Sequence, residues 1–159
     1  MKNNIIDIVS NRFNSKDKWG LVIGDIMLDH YIIGYVKRLS PEAPVPIVNV
    51  DDNVYKIGGA GNVALNLSGL GINTFIVGEI GNDYSGEVLK DLFKQNGMST
   101  KNLIKKKGPT TTKTRIMGGQ QQMVRLDYEE LSSGPSEIEL KKILKLISNG
   151  PSAIIISDY

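Results

Sequence analysis

A chain of 159 residues can bury one ordinary hydrophobic core, and 19 Lys and Arg against 17 Asp and Glu leave a net charge of +2, too small for a nucleic-acid partner to be expected. The absence of cysteine excludes disulfide and thiolate chemistry and fits a reducing compartment, while a lone histidine, His30, excludes His-based metal clusters and Ser-His-Asp triads. No apolar run approaches the roughly 18 residues of a membrane span, and Asp7 interrupts the only N-terminal apolar stretch, so neither membrane nor signal peptide is expected and the location expected is cytoplasmic.

Ile5, Ile6, Val9 and Phe13 recur at helical spacing and predict a short amphipathic N-terminal helix. Trp19 to Ile23 reads as a buried strand leading to Asp25. From Tyr31 to Val54 short β-like pieces, Tyr31-Ile32-Ile33 and Ile47-Val48-Asn49-Val50, flank the proline-rich Ser40-Pro41-Glu42-Ala43-Pro44-Val45-Pro46. Prolines fix φ and remove donors, which suits an edge or a lid and not a central strand. Val63, Leu67 and Leu70 line the next helix, with Gly71 placed to end it; Thr74 to Val77 is a strand. Ser85 is placed to open a helix carrying Val88, Leu89, Leu92 and Phe93 and stopping at Gly97. The run Lys105-Lys106-Lys107 is short, lacks aromatics and reads as a solvated loop. Thr110 to Ile116 and Gln122 to Tyr128 enclose Gly118-Gly119 as a hairpin. Ser136 with Glu139 forms a capping box for a helix with Leu140, Ile143, Leu144 and Ile147, and Ala153 to Ile156 is expected to be a fully buried strand.

Helices alternating with continuous apolar strands predict an α/β fold with a doubly wound, mostly parallel sheet. The half-polar excursions at 31–54 and 110–128 break that rhythm and are expected to form a small separate sheet over one edge.

Gly58-Gly59-Ala60-Gly61-Asn62-Val63-Ala64 is a glycine-rich turn entering a helix, where backbone N–H groups can approach a ligand and the helix N-terminus favours anions or hydroxyl oxygens. It also fits G-x-G-x-x-A, with Glu79 about 20 residues on, as in dinucleotide-binding folds. That fingerprint belongs to a first βα turn, however, and here a strand and a proline-rich excursion precede it. The feeding segment Asn53-Val54-Tyr55-Lys56-Ile57 alternates like a half-exposed strand.

The same glycines with Gly71 and Gly81 resemble the first signature of the ribokinase-like (PfkB) carbohydrate kinases. Asp25-Ile26-Met27-Leu28-Asp29, Leu39-Ser40-Pro41-Glu42-Ala43-Pro44-Val45-Pro46, Gln121-Gln122 with Arg125-Leu126-Asp127, and Ser157-Asp158-Tyr159 resemble the heptose 7-phosphate kinase branch, which forms the kinase module of a bifunctional heptose kinase and adenylyltransferase. The resemblance spans residues 20 to 159. It implies a ribokinase-like fold with a β-sheet lid, 31–54 and 110–128 supplying lid strands, and a chain corresponding to the N-terminal half of the domain. Gly118-Gly119 departs from the branch pattern, where a bulkier, often basic, residue is expected.

The resemblance implies that Asp29 accepts from sugar hydroxyls, that Gly58 and Gly59 let the backbone touch the sugar, and that Asn62 offers an amide to a hydroxyl pair. Asp25, two steps of period 2 from Asp29, is expected on the same strand face and in the same pocket, with turn capping as its structural alternative. Lys113 and Arg115, two apart, could pair with the 7-phosphate or be solvated strand charges; Arg125 carries the same alternatives. Asp158, ending a strand, could orient a Mg²⁺-bound water or the acceptor hydroxyl or simply cap the strand. His30 is expected at the lid base or core and not as a ligand, and no metal ligand set is expected within the chain.

The family's catalytic Asp lies in a Gly-Ala-Gly-Asp turn that does not occur in these 159 residues. It is expected beyond Tyr159, with the ATP-binding half. The implied parent reaction moves a phosphoryl group from Mg-ATP to the anomeric hydroxyl of heptose 7-phosphate, on the route to ADP-heptose and lipopolysaccharide core. The chain alone is expected to be inactive, to bind neither Mg²⁺ nor ATP tightly, and to form a homodimer through the lid. The alternatives are a PfkB kinase of ribose, fructose or a fructose phosphate, an NAD-binding domain, and a non-catalytic β-lid dimerisation module.

Overall fold

The computed structural model describes residues 18–130 and 134–158. The expected helix at Ile5 to Phe13 lies outside them. The elements are β1 (Gly20–Gly24), β2 (Ile26–Leu39), β3 (Pro46–Gly59), α1 (Ala60–Gly69), β4 (Thr74–Ile80), α2 (Tyr84–Gln95), β5 (Leu103–Lys105), β6 (Thr112–Gly118), β7 (Gln121–Tyr128), α3 (Glu137–Ser148) and β8 (Ala153–Ser157). They form two sheets: a parallel one in the order β5-β4-β1-β8, and a mixed one in the order β3-β2-β6-β7. The α/β class with a parallel sheet and a second, mixed sheet is as expected.

In the parallel sheet, Val22, Ile76 and Ile80 face α1 and α2 and close the core with Ala60, Ala64, Leu89 and Phe93. All seven are at most 0% exposed. Strands covered on both faces read as apolar runs, which is why Leu21-Val22-Ile23 and Phe75-Ile76-Val77 were visible in sequence. Helix α3 lies on the opposite face, where Ile143 and Leu146 share a crevice with Val77 and Ile104.

Strand β8 corrects an expectation. Ile155 packs toward the core, but Ile154 is 43% and Ile156 77% exposed. Register sets these two opposite Leu21 and Ile23, on the α3 side of the sheet. Helix α3 sits over Val77 and Ile104 and leaves them uncovered, and its own Leu140 and Leu144 are exposed as well. An apolar run therefore marked a strand without marking two covered faces.

The excursions are longer than their short apolar pieces suggested. β2 and β3 pair antiparallel from Ile26↔Gly59 to Leu39↔Pro46, so the proline-rich segment is the turn of a long hairpin. β6 joins β2 in parallel and β7 antiparallel. The hairpin turn at Gly119 has φ +64°, and Gly119 N donates to Gly34 O at 2.7 Å. That backbone disfavours a side chain, which accounts for glycine at the position departing from the branch pattern.

Helix α2 begins one residue before Ser85: its N-cap is Asp83, whose side chain accepts from Gly86 N. Gly71 and Gly97 follow the C-caps of α1 and α2 with φ of +81° and +71°, as expected of C′ glycines. The Ser136–Glu139 capping box is present at α3.

Candidate functional site

The chain passes from one sheet to the other at Asp25. β1 ends at Gly24 and β2 starts at Ile26, so Asp25 and Asp29 do not share a strand, and Asp29 is within β2 and not at a strand's end. The first point corrects the expectation of a shared strand face; the apolar run across residues 26–28 hid the change of sheet. Asp25 is a backbone junction: its N–H donates to Ser157 O at 3.1 Å and its carbonyl accepts from Ala60 N at 2.8 Å. It thus ties β8 and the first residue of α1 to the crossing point.

Around this crossing lies a cavity of about 750 Å³ at the carboxyl ends of β1 and β4, where open α/β sheets hold ligands. Asp25 and Lys113 line it, as do Glu79, Lys106, Thr111, Glu129 and Glu130, none of which was singled out for this site from sequence. Lys106 was assigned to a solvated loop. It is half-buried instead, because Lys106 N donates to Ile80 O and fixes the chain against β4. Only its placement after β5 could have revealed this, and β5 is a three-residue strand without a period of its own.

Asp29 stands beside the cavity. Register sets it opposite Lys56 on β3 and Lys113 on β6, and opposing residues share a face. Arg115 Nη1 donates to Asp29 Oδ1 at 2.5 Å and, more weakly, to Lys113 O at 3.4 Å. The Asp29 hydrogen bond raises the Arg115 pKa above its ordinary value, against the lowering effect of burial. The guanidinium is therefore a fixed positive charge.

The glycine turn meets this pair. A Cβ on Gly58 would lie 2.5 Å from Asp29 Oδ2, so the carboxylate rests directly on glycine backbone. Gly59 has φ +57°, and a Cβ there would collide with the carbonyl of Asp25. Gly59 is the N-cap of α1 with no side-chain cap bond, so Asn62 is not the cap but the third helical residue, exposed. Among the described residues its side-chain amide has no hydrogen-bond partner.

The structure thus brings Asp29, Gly58, Gly59, Lys113 and Arg115 together next to Asp25. Asn62 stands at the mouth of α1. Asp158 follows the carboxyl end of β8, exposed, one residue past the Ser157 carbonyl that accepts from Asp25 N. Arg125 is opposite Arg115 and donates to Asp127 Oδ1 at 2.8 Å. His30 lies on the other face of the second sheet, stacked on Tyr55 at 4.4 Å, within reach of Asn53 and Thr114. Among the described residues no three His, Asp or Glu groups converge as a metal-binding set.

The glycine turn follows an antiparallel strand of the second sheet, so it is not the parallel βα turn that a dinucleotide fingerprint requires. A parallel sheet thus meets a mixed sheet at its carboxyl ends, with a carboxylate, a guanidinium and bare glycine backbone at the junction. Residues 20–155 match the profile described as "pfkB family carbohydrate kinase", and the chain belongs to that family.

The whole chain is 44% identical over 163 residues to a bifunctional protein HldE of Methylobacillus flagellatus and 43% identical over 162 residues to that of Koribacter versatilis. It spans 33% of the length of each. The fold matches Arabidopsis thaliana ribokinase complexed with ribose and ATP, at TM-score 0.66 and 15% identity, over 87% of this chain and 45% of that one. It also matches phosphofructokinase-2 from Escherichia coli, at TM-score 0.61 and 18% identity, over 87% of this chain and 43% of that one. Among the described residues no helix is long and apolar enough to cross a membrane.

Proposed function

We propose that this chain is the acceptor-binding half of a heptose 7-phosphate kinase. The observation that carries the proposal is the seat of Asp29: a carboxylate against the bare backbone of Gly58, held by Arg115, beside a cavity at the carboxyl ends of β1 and β4. A carboxylate so placed accepts from sugar hydroxyls, and backbone without a side chain lets the ring approach. Asn62, Asp25 and Asp158 surround the same end of the fold, Lys113 lines the cavity wall, and Arg115 carries charge that a phosphorylated acceptor needs. The choice of heptose rests on the HldE relatives at 43–44% identity and on the motifs around Asp29, Pro44 and Asp127.

In the parent reaction the anomeric hydroxyl takes a phosphoryl group from Mg-ATP, giving the 1,7-bisphosphate. The described residues offer no metal-binding set, so no step is assigned to Mg²⁺ within this chain. Its share is to bind, orient and desolvate the acceptor, with the second sheet acting as a lid; phosphoryl transfer depends largely on such positioning. The chain alone is expected not to turn over. Purified chain incubated with Mg-ATP should release no ADP in response to heptose 7-phosphate, yet should bind that sugar phosphate in a calorimetric titration. ADP release overturns the first statement; absence of binding overturns the second.

The exposed alternate residues of β7, Val124, Leu126 and Tyr128, put an apolar stripe on the outermost strand of the second sheet. A second copy of the chain covering this stripe is the proposed partner. Sedimentation of a monomer at micromolar concentration would sink that assignment.

A further inference from the structure

Four cations stand around Asp29 and Tyr31 on one face of the second sheet, and three of them are neutralised. Lys113 Nζ lies 3.7 Å from Asp127 and 3.9 Å from Glu129. Arg115 is held by Asp29, and Arg125 by Asp127. The fourth is Lys56. Register sets it directly opposite Asp29, hence on the same face, and its side chain is exposed. Among the described residues it has no carboxylate in ion-pair range; its ammonium lies 5.2 Å from the centre of the Tyr31 ring.

That same ring also receives the Arg115 guanidinium, at 5.2 Å. One aromatic ring therefore gathers two cations. Each is attracted to the ring but repelled by the other, and an anion between or above them removes that repulsion. A guanidinium fork together with a mobile ammonium suits a phosphate, whose several oxygens can accept from both. Tyr31 lies two residues beyond Asp29 along β2, about 7 Å farther from the crossing at Asp25. A sugar with one end near the crossing and its hydroxyls at Asp29 would carry its distal phosphate to this ring.

We propose that Lys56 is the anchor of the acceptor's phosphate group, with Tyr31 holding the ammonium in place and Arg115 beside it. Lys113, already shared by two carboxylates, then serves the cavity wall and not the phosphate. This rests on the reading of the chain as an acceptor-binding module for a sugar phosphate and adds the residue that distinguishes a phosphorylated acceptor from a plain one.

The test titrates the full 159-residue chain calorimetrically with D-glycero-D-manno-heptose 7-phosphate and with the unphosphorylated heptose, at fixed ionic strength. Lys56→Gln should weaken the phosphorylated sugar by about tenfold or more, as for loss of one charge-assisted contact. It should leave the plain sugar within about twofold on the same grounds. Lys56→Arg should restore most of the phosphate preference. Lys37→Gln, which removes the similar contact between Lys37 and Tyr35 farther along β2, should change neither. Lys56→Met, keeping the stem over Tyr31, repeats the test should the Gln variant melt early.

Equal binding of the phosphorylated sugar by wild type and Lys56→Gln overturns the proposal and leaves the acceptor site standing. An equal loss of both sugars overturns it too, by placing Lys56 on the sugar ring or in the fold. If the wild-type chain binds neither sugar, the acceptor reading fails and the anchor fails with it.

Discussion

Asp83 grips Thr110 with both carboxylate oxygens: Thr110 Oγ1 donates to Oδ1 at 2.5 Å and Thr110 N donates to Oδ2 at 3.0 Å. The same Oδ1 accepts from Gly86 N at the start of α2, and Thr110 Oγ1 in turn accepts from Gly81 N at 2.9 Å. Thr110 is 1% exposed. Directly after it, Thr111 O accepts from Leu28 N and Thr112 begins β6. One side chain thereby fixes the point at which the chain leaves the parallel sheet for the second one, and with it the position of Lys106, Thr111 and Lys113 in the cavity wall.

Thr110→Val keeps the shape and removes the hydroxyl. Gly81 N–H then loses its buried acceptor and Asp83 loses its shortest donor. The expected loss is about 1–3 kcal/mol, the desolvation penalty of a buried group left unpaired. Thr110→Ser keeps every bond and forfeits one methyl, worth about 0.8 kcal/mol. Urea midpoints should therefore fall in the order wild type, Ser, Val. A Val variant as stable as wild type would show that the network holds nothing in place.

The same carboxylate makes a pH prediction. Burial pushes the Asp83 pKa up, but hydrogen bonds from Thr110 Oγ1, Thr110 N, Gly86 N and its own backbone outweigh it and hold the carboxyl below its ordinary value. A depressed folded pKa contributes stability that is fully present above the unfolded value, about 3.9 for aspartate, and is lost as pH falls through the folded pKa. Asp83→Asn should be less stable than wild type at neutral pH, since one carbonyl oxygen replaces two acceptors. The gap should narrow below about pH 4, when the wild-type carboxylate is also losing its charge. Denaturant melts of both proteins across pH 2 to 7 check this; a constant gap would mean that Asp83 does not titrate as argued.

Local grammar was legible in the sequence where a single segment decides the outcome. The capping box at Ser136 and Glu139, the C′ glycines Gly71 and Gly97 and the hairpin at Gly118-Gly119 depend on neighbours within a few residues, and each formed as expected. The glycine turn at 58–59 and the cation pair on β6 were legible as candidates for a related reason: their spacing is local. Long-range facts were not legible. That the chain changes sheet at Asp25, ahead of Asp29, depends on β2 choosing β3 and β6 over β1, which no period in residues 24–29 records. The α2 cap lies two residues before Ser85, a good cap by type, because Asp83 wins through its distant partner Thr110. Exposure of Ile154 and Ile156 depends on what covers β8, and an apolar run carries no such information.

The contact between Gly58 and Asp29 predicts a variant that separates binding from folding. In Gly58→Ala the new Cβ would come 2.5 Å from Asp29 Oδ2 and 2.8 Å from Met27 Cγ, so the carboxylate must move. The exposed side of Asp29 can give way, which limits the cost to the fold. The hydroxyl acceptor, however, is displaced from the backbone it serves. Binding of heptose 7-phosphate should weaken by about tenfold or more, equivalent to about 1.4 kcal/mol, while the thermal midpoint drops by only a few degrees, about 1 kcal/mol for a chain of this size. Unchanged affinity, read by calorimetry, would remove Asp29 from the acceptor site.

The ion pair between Arg115 and Asp29 should behave as an intermediate case. Its side chains are 21% and 20% exposed, neither at the surface nor fully desolvated. Exposed pairs couple by about 0.2–1 kcal/mol, and breaking buried ones costs about 3–5 kcal/mol. A double-mutant cycle with Arg115→Met and Asp29→Asn, followed by urea unfolding, is therefore expected to give a coupling of about 1–2 kcal/mol. Arg115→Lys should retain only part of it, because an ammonium cannot meet Asp29 with the planar fork that also reaches Lys113 O. With the guanidinium pKa raised further by Asp29, the coupling should not decline between neutral pH and pH 10. A coupling near zero would mean that solvent screens the pair, and that Asp29 is placed by Gly58 and the strand register alone.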